Sequence, residues 1–213
     1  MTHRRYDRSM ELVSPPDATP APAFRRATEA DAVAVARELF LAGERLDMNT
    51  LAGRLGVSRA TLHRWVHTRE HLLDMVLGRL TDEFFEDGLA HARAHPEDAV
   101  AALAHALVST TSGSAPLRGF VAREPELALR LMLGDGAVRH RAIVWIQALV
   151  DEVLPDEAED LEGFSEALAD VGLALEWATI AAGSEPSADR IAQIARALLA
   201  GARAGELTLP APG

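Results

Sequence analysis

One stretch in the first third of the chain constrains the fold more than any other: Asp47 to Leu73, DMNTLAGRLGVSRATLHRWVHTREHLL. Asp47 has the short acceptor side chain of an N-cap, and Met48, Leu51, Ala52 and Leu55 recur behind it at helical spacing. Gly56 ends that helix, because glycine alone enters the left-handed region without steric cost. Ser58 then caps a second short helix in which Leu62 and Val66, four apart, share one face. Helix, Gly-Val turn and Ser-capped helix form a helix-turn-helix, whose second helix lies in the DNA major groove.

Charge supports this reading. No acidic residue occurs between Asp47 and Glu70, while Arg54, Arg59, Arg64 and Arg69 all fall inside that window. The whole chain carries a formal net charge of −11, unsuited to a general nucleic-acid binder. Its distribution is uneven: residues 1–80 hold 12 Arg and 10 acidic side chains, whereas residues 81–213 hold 9 and 22. A basic strip on a near-neutral head, attached to an acidic body, suits a small DNA-reading module on a regulatory domain. Every cation is Arg, which high-GC coding bias explains.

The rest of the chain predicts an all-α protein. Apolar residues make up 48% and aromatic residues 5%, an Ala/Leu-rich balance too poor in aromatics for a sheet protein. The 213 residues suffice for one large domain or two modest ones. With no cysteine, thiolate metal sites, disulfides and cysteine nucleophiles are excluded. No apolar run approaches the ~20 residues that cross a bilayer, and no signal-peptide core opens the chain, so a cytoplasmic protein without membrane partners is expected.

In chain order, residues 1–27 are Pro-rich and aperiodic, and are expected to form a disordered arm in which Arg4, Arg5, Arg8, Arg25 and Arg26 are candidate minor-groove contacts. Thr28 and Asp31 open a support helix with Val35, Leu39 and Phe40 on its apolar face. Thr68 caps a long fourth helix in which Leu72, Val76, Leu80 and Phe84 form an i, i+4 row running to about Ala94. Further helices are expected from Pro96, over 116–123 and 125–133, from Ala137 to Leu154, and over 162–182 and 187–203. The domain division is then a DNA-binding unit over 28–73 and a larger helical unit over 74–206, to which a family resemblance assigns effector binding and dimerisation. A loose tail, 207–213, follows.

With these elements placed, the chain resembles the TetR family of transcriptional regulators. Leu51-Ala52, Leu55-Gly56-Val57-Ser58, Thr61-Leu62 and Leu72-Leu73 fall where that family's pattern wants them. Departures are His63 where the family has Tyr, Val66 for Phe with Trp65 just before it, and Arg69 for Lys. The segment from Phe40 to Asp47 lacks the usual aromatic after glycine. The stretch from Glu176 to Gly183 resembles the QsdR-type branch, associated with catabolism of lactone quorum signals. The resemblance implies a homodimer, operator DNA and a small-molecule effector as partners, lactone-like on the branch's precedent, and a ligand-released repressor with no cofactor.

Candidate DNA contacts are Arg59, Ala60, Arg64 and Trp65 on the recognition helix, with Thr61, His63 and Arg69 as phosphate clamps; the resemblance adds Asn49. Candidate effector residues are Phe120, Met132, His140, Trp145, Glu176 and Trp177; Glu176 reads as a ligand anchor, a dimer-interface group or, the favoured reading, a surface group. His63, His67 and His71 recur every four residues, but the Thr68 cap interrupts them, and His91 with His95 lacks a third ligand, so no metal is expected. Ile191, Ile194, Ala195 and Leu198 form a stripe that a monomer would expose, hence the homodimer. Competing classes are a ligand-binding or interaction module that no longer reads DNA, and a helical-bundle enzyme. For the enzyme no nucleophile–base pair or carboxylate pair stands out.

Overall fold

The computed structural model describes residues 26–157, 161 and 163–205; the expected tail and nearly all of the expected arm lie outside them. Ten α-helices and no strand are present among the described residues. They are α1 (Glu29–Leu41), α2 (Met48–Leu55), α3 (Arg59–Val66), α4 (Arg69–Arg93), α5 (Ala99–Gly113), α6 (Ala115–Arg123), α7 (Pro125–Leu133), α8 (Ala137–Val153), α9 (Phe164–Ala181) and α10 (Ala188–Arg203). Where Pro96 was expected to open α5, a 3₁₀ turn over Pro96–Asp98 precedes the helix. Proline has no N–H to lose in such a first turn.

The early helix boundaries are set by side chains next to them in sequence. Thr28 and Asp31 form a complete capping box on α1. Asp47 accepts from the backbone N–H of Asn49 and Thr50, at 3.1 and 2.8 Å. Gly56 adopts φ +65°, the left-handed stop foreseen for it. Ser58 accepts from Thr61 N at 3.1 Å, and Thr68 from His71 N at 3.0 Å.

Two hydrophobic cores follow. The first joins α1–α3, the early part of α4, α6, α7 and the end of α9; the second joins the later part of α4, α5, α8, the start of α9 and α10. α4 serves both, with Leu72, Leu73, Val76, Leu77 and Leu80 in the first and Phe85, Leu89 and Ala92 in the second. Each such large side chain, fully removed from water, contributes about 1.5–3 kcal/mol. The first core runs without a break from the helix-turn-helix into the body, so the cores do not follow the 28–73 and 74–206 division.

Two glycines let neighbours approach α4. A Cβ on Gly78 would stand 2.8 Å from Ala137 Cβ at the start of α8, and one on Gly88 2.8 Å from Leu103 of α5. Asp74, one turn before Gly78, accepts from Ala137 N at 2.9 Å and so caps α8, whose own N-cap Gly136 has no side chain to do it.

The stripe on α10 corrects an expectation. Ile191 and Ala195 are buried in the second core and Leu198 packs against it, with α5 as the main neighbour of α10. Three of the four stripe residues are therefore covered within one chain, and only Ile194, half-buried and outside that core, is left to argue for a dimer.

Gly78→Ala is expected to destabilise the protein by about 1–2 kcal/mol in urea unfolding. The rigid Ala137 Cβ leaves no room, and overpacking outweighs the gain in helix propensity. Gly53→Ala, with nothing within 4 Å, is expected to stabilise by up to about 1 kcal/mol.

Candidate functional site

Leu62 and Val66 are fully buried in the first core, which fixes the rotation of α3 about its axis. That rotation leaves Arg59, Ala60, His63 and Arg64 on the exposed face, with His67 following at the helix end. Neither Arg59 nor Arg64 enters an ion pair among the described residues. Asn49, near the start of α2, is exposed as well. Trp65 instead lies half-buried against the first core, and Thr61 bonds Ser58 Oγ at 2.9 Å as part of the cap. Arg59 lies near enough to Asp47 to help lower its carboxyl, after the hydrogen bonds from Thr50, so Arg64 is the freer of the two guanidinium groups on this exposed face, the kind of group that phosphate and base-edge recognition needs.

Arg69 is placed otherwise than expected. Its Nε donates to Leu46 O at 2.8 Å, and its two terminal nitrogens donate to both carboxylate oxygens of Glu124 at 2.9 and 2.6 Å. Only 23% of its side chain and 19% of that of Glu124 are exposed. A guanidinium held in this bidentate clamp is not a free phosphate ligand, so the assignment to DNA is corrected. The hydrogen bond from Arg69 holds the Glu124 carboxyl below the usual carboxylate range. Sequence reasoning missed Glu124, which lies between α6 and α7 and is remote from Arg69 in the chain.

Inside the body, α4–α10 enclose a cavity of about 90 Å³. A site for one water needs only about 10–15 Å³, so a small organic ligand is within its range. The wall is almost wholly apolar and includes Phe84, Phe85, Leu103, Met132 and Trp177. Its polar side chains are Thr81, Thr111, Glu176 and the indole of Trp177. Thr81 donates to Leu77 O at 2.9 Å, leaving Thr111 and Glu176 as the wall's remaining hydroxyl and its carboxyl. The Thr111 hydroxyl meets the Glu176 carboxyl and lies 2.9 Å from Leu107 O.

Glu176 is 6% exposed, which overturns the surface reading. Burial pushes its carboxyl up to about 7, against a smaller opposing effect of the Thr111 hydrogen bond. The indole N–H of Trp177 is buried without a hydrogen-bond partner among the described residues.

Of the other effector candidates, Met132 and Trp177 line the cavity with Glu176, and three do not. Phe120 packs edge-on against Phe40 in the first core, with ring centroids 5.6 Å apart. Trp145 donates to Asp82 at 3.0 Å and lines a shallow outer groove together with His140, which is exposed. Thr81 and Thr111 were missed, yet each sits on the apolar face of its helix, a pattern readable in the sequence. No group of three or more His, Asp or Glu is arranged to hold a metal among the described residues.

Comparison with known proteins bears on the fold and the family. Residues 66–200 match the family model described as the tetracyclin repressor-like, C-terminal domain. The fold is similar to that of the transcriptional repressor QsdR of R. erythropolis, of the TetR family, with a TM-score of 0.72 and 24% identity, covering 81% of this chain and 94% of that one. It is also similar to the TetR-family repressor AlkX of Dietzia sp., implicated in biodegradation of n-alkanes, with a TM-score of 0.61 and 19% identity, covering 85% and 97%. No curated protein sequence matches the chain.

Glu176→Gln should remove a pH-dependent penalty. Below the ordinary value of 4.5 the acid is protonated whether folded or not. As pH rises toward 7 the unfolded chain has already lost that proton, so the folded state loses stability. Near pH 8 the variant is expected to be more stable than the wild type by about 3 kcal/mol, and near pH 4 to be equal to it, in paired urea titrations. Arg69→Ala and Glu124→Ala are each expected to cost about 1–3 kcal/mol, less than a fully buried pair because both groups are partly wet. The double variant should lose little more than either single one.

Proposed function

Since the chain belongs to the TetR family, whose members are transcriptional regulators, we propose that it is a ligand-responsive repressor released from its operator by a small molecule bound in the α4–α10 cavity. The observation that carries this reading is the pairing of an exposed face on α3, whose Arg59 and Arg64 form no ion pair among the described residues, with an apolar cavity in the same chain. Under this reading the roles divide between a DNA-reading head over 28–73 and an effector-binding, dimerising body over 74–206.

On the DNA side, Arg64 and Arg59 would read base edges beside Ala60, while His63 and Asn49 would position the phosphates. Trp65 and Thr61 would serve by holding the helix in place. Two heads in a symmetric dimer would meet half-sites one helical turn apart. The outward faces of the closing helices suit such a dimer, with Ala167, Val171, Ala174 and Ala178 on α9 and Ile194 and Ala197 on α10, none of them fully buried.

Transmission has a short route. Leu117 of α6 and Met132 of α7 line the cavity, and the corner between those helices holds Glu124, which clamps Arg69 at the root of α4. A ligand favouring one position of that corner would bias the orientation of the head.

In a retardation assay on the DNA upstream of its own gene, binding should weaken steeply with salt as phosphate contacts release counterions. Arg64→Ala should lose about 1–3 kcal/mol of discrimination at one base position, and His63→Ala should weaken all sequences alike. Unchanged base preference in Arg64→Ala would remove that residue from the contact set, and no retardation at low salt would remove the repressor reading.

A further inference from the structure

The Glu176 carboxyl sits in a wall to which α4, α5, α6, α7, α8 and α10 contribute no other charged or titratable side chain among the described residues. Its partner is the Thr111 hydroxyl, which has one proton and already stands within reach of the Leu107 and Val108 carbonyls, at 2.9 and 3.2 Å. A buried acid ordinarily has a cation or several donors beside it, because an isolated carboxylate away from water is strongly disfavoured. A neutral ligand would need no acid there, since a serine, threonine or glutamine supplies hydrogen bonds without that penalty. Three aromatic rings, Phe84, Phe85 and Trp177, line the same cavity, and aromatic faces attract cations.

We propose that the cavity takes a largely apolar molecule carrying one amine, bound as its ammonium ion with Glu176 as counter-charge. The ligand supplies the missing base, and its hydrocarbon part fills the apolar remainder. An anion finds no cation in this wall, and an uncharged lactone, as the sequence resemblance implies, offers no counter-charge to the ionised form of the acid. The carboxyl's raised affinity for protons fits the same geometry, since whatever brings positive charge to it is favoured. The inference rests on the cavity being the effector site.

Hexylamine, methyl butyl ketone and hexanoate are chain-matched probes for calorimetry on the free full-length protein. Hexylamine is expected to bind, with affinity rising about tenfold from pH 6 to pH 8 as Glu176 ionises while the alkylammonium stays protonated. Glu176→Gln, checked for folding by its unfolding transition, should lower that affinity at least tenfold at pH 8. Binding of the ketone or hexanoate in preference to hexylamine would overturn the proposal, as would hexylamine binding that Glu176→Gln leaves intact or no binding by any probe. Adding hexylamine to the retardation assay separates the two claims. Binding without operator release leaves the ligand class standing and sinks the effector reading, whereas release by the ketone alone does the reverse.

Discussion

Everything in this structure depends on α4 being buried along both halves of its length. One helix of 25 residues supplies apolar side chains to two cores, and neighbouring helices reach it closely at Gly78 and Gly88. Such a helix cannot rotate about its axis without disturbing both cores, because interiors are packed to the density of organic crystals. The support helix, the two short helices and the body therefore move against α4 as packed units rather than as beads on a flexible linker. Ion pairs reinforce the junction: Arg37 with Glu83 joins α1 to α4, and Arg130 with Glu70 joins α7 to its first turn. These pairs are substantially exposed and add little energy individually. Arg69 with Glu124 differs, because its groups are mostly withdrawn from water and its guanidinium also donates to Leu46 O.

This arrangement places the two chemical features of the protein at opposite ends of one mechanical path. At one end α3 presents Arg59 and Arg64, neither of them in an ion pair among the described residues; at the other, Glu176 is held without a base. Both are local departures from charge balance in a protein whose other Arg side chains often find carboxylates, as Arg93 does with Glu152 and Arg196 with Asp98. Departures from an otherwise consistent pattern mark places where a partner is expected to complete the interaction.

The parts legible in the sequence share one property, that their causes lie within a few residues. Thr28, Asp47, Ser58 and Thr68 cap helices through backbone groups two or three positions away, so type and spacing suffice. The family pattern over Asp47–Leu73 is of the same kind. What escaped reading depends on distant groups. Arg69 looked like a phosphate ligand because it closes the acid-free run that follows Asp47 and opens α4, yet its partner Glu124 is 55 residues away. Asp74 caps α8 across a separation of 63 residues. The α10 stripe was correctly seen as apolar, but periodicity says only that a face is covered, not whether the cover is α5 or a second chain.

Glu176 shows where periodicity can still mislead. A carboxylate in the apolar run from Val171 to Ala182 reads as surface, because burying an acid is usually unfavourable and surface is the commoner answer. The structure puts it inside because its neighbours on either side along α9 already decide the rotation: Leu168, Ala169, Trp177 and Ile180 are buried, and position 176 shares their face. The helix cannot turn Glu176 outward without exposing Trp177. Thr111 answers from the facing helix with a hydroxyl on its own apolar side, so the polar pair is matched across two helices that are apolar elsewhere along that contact. A single misplaced acid would be a packing fault. An acid and a hydroxyl that meet on the wall of a cavity with volume left over form a site that awaits a third member.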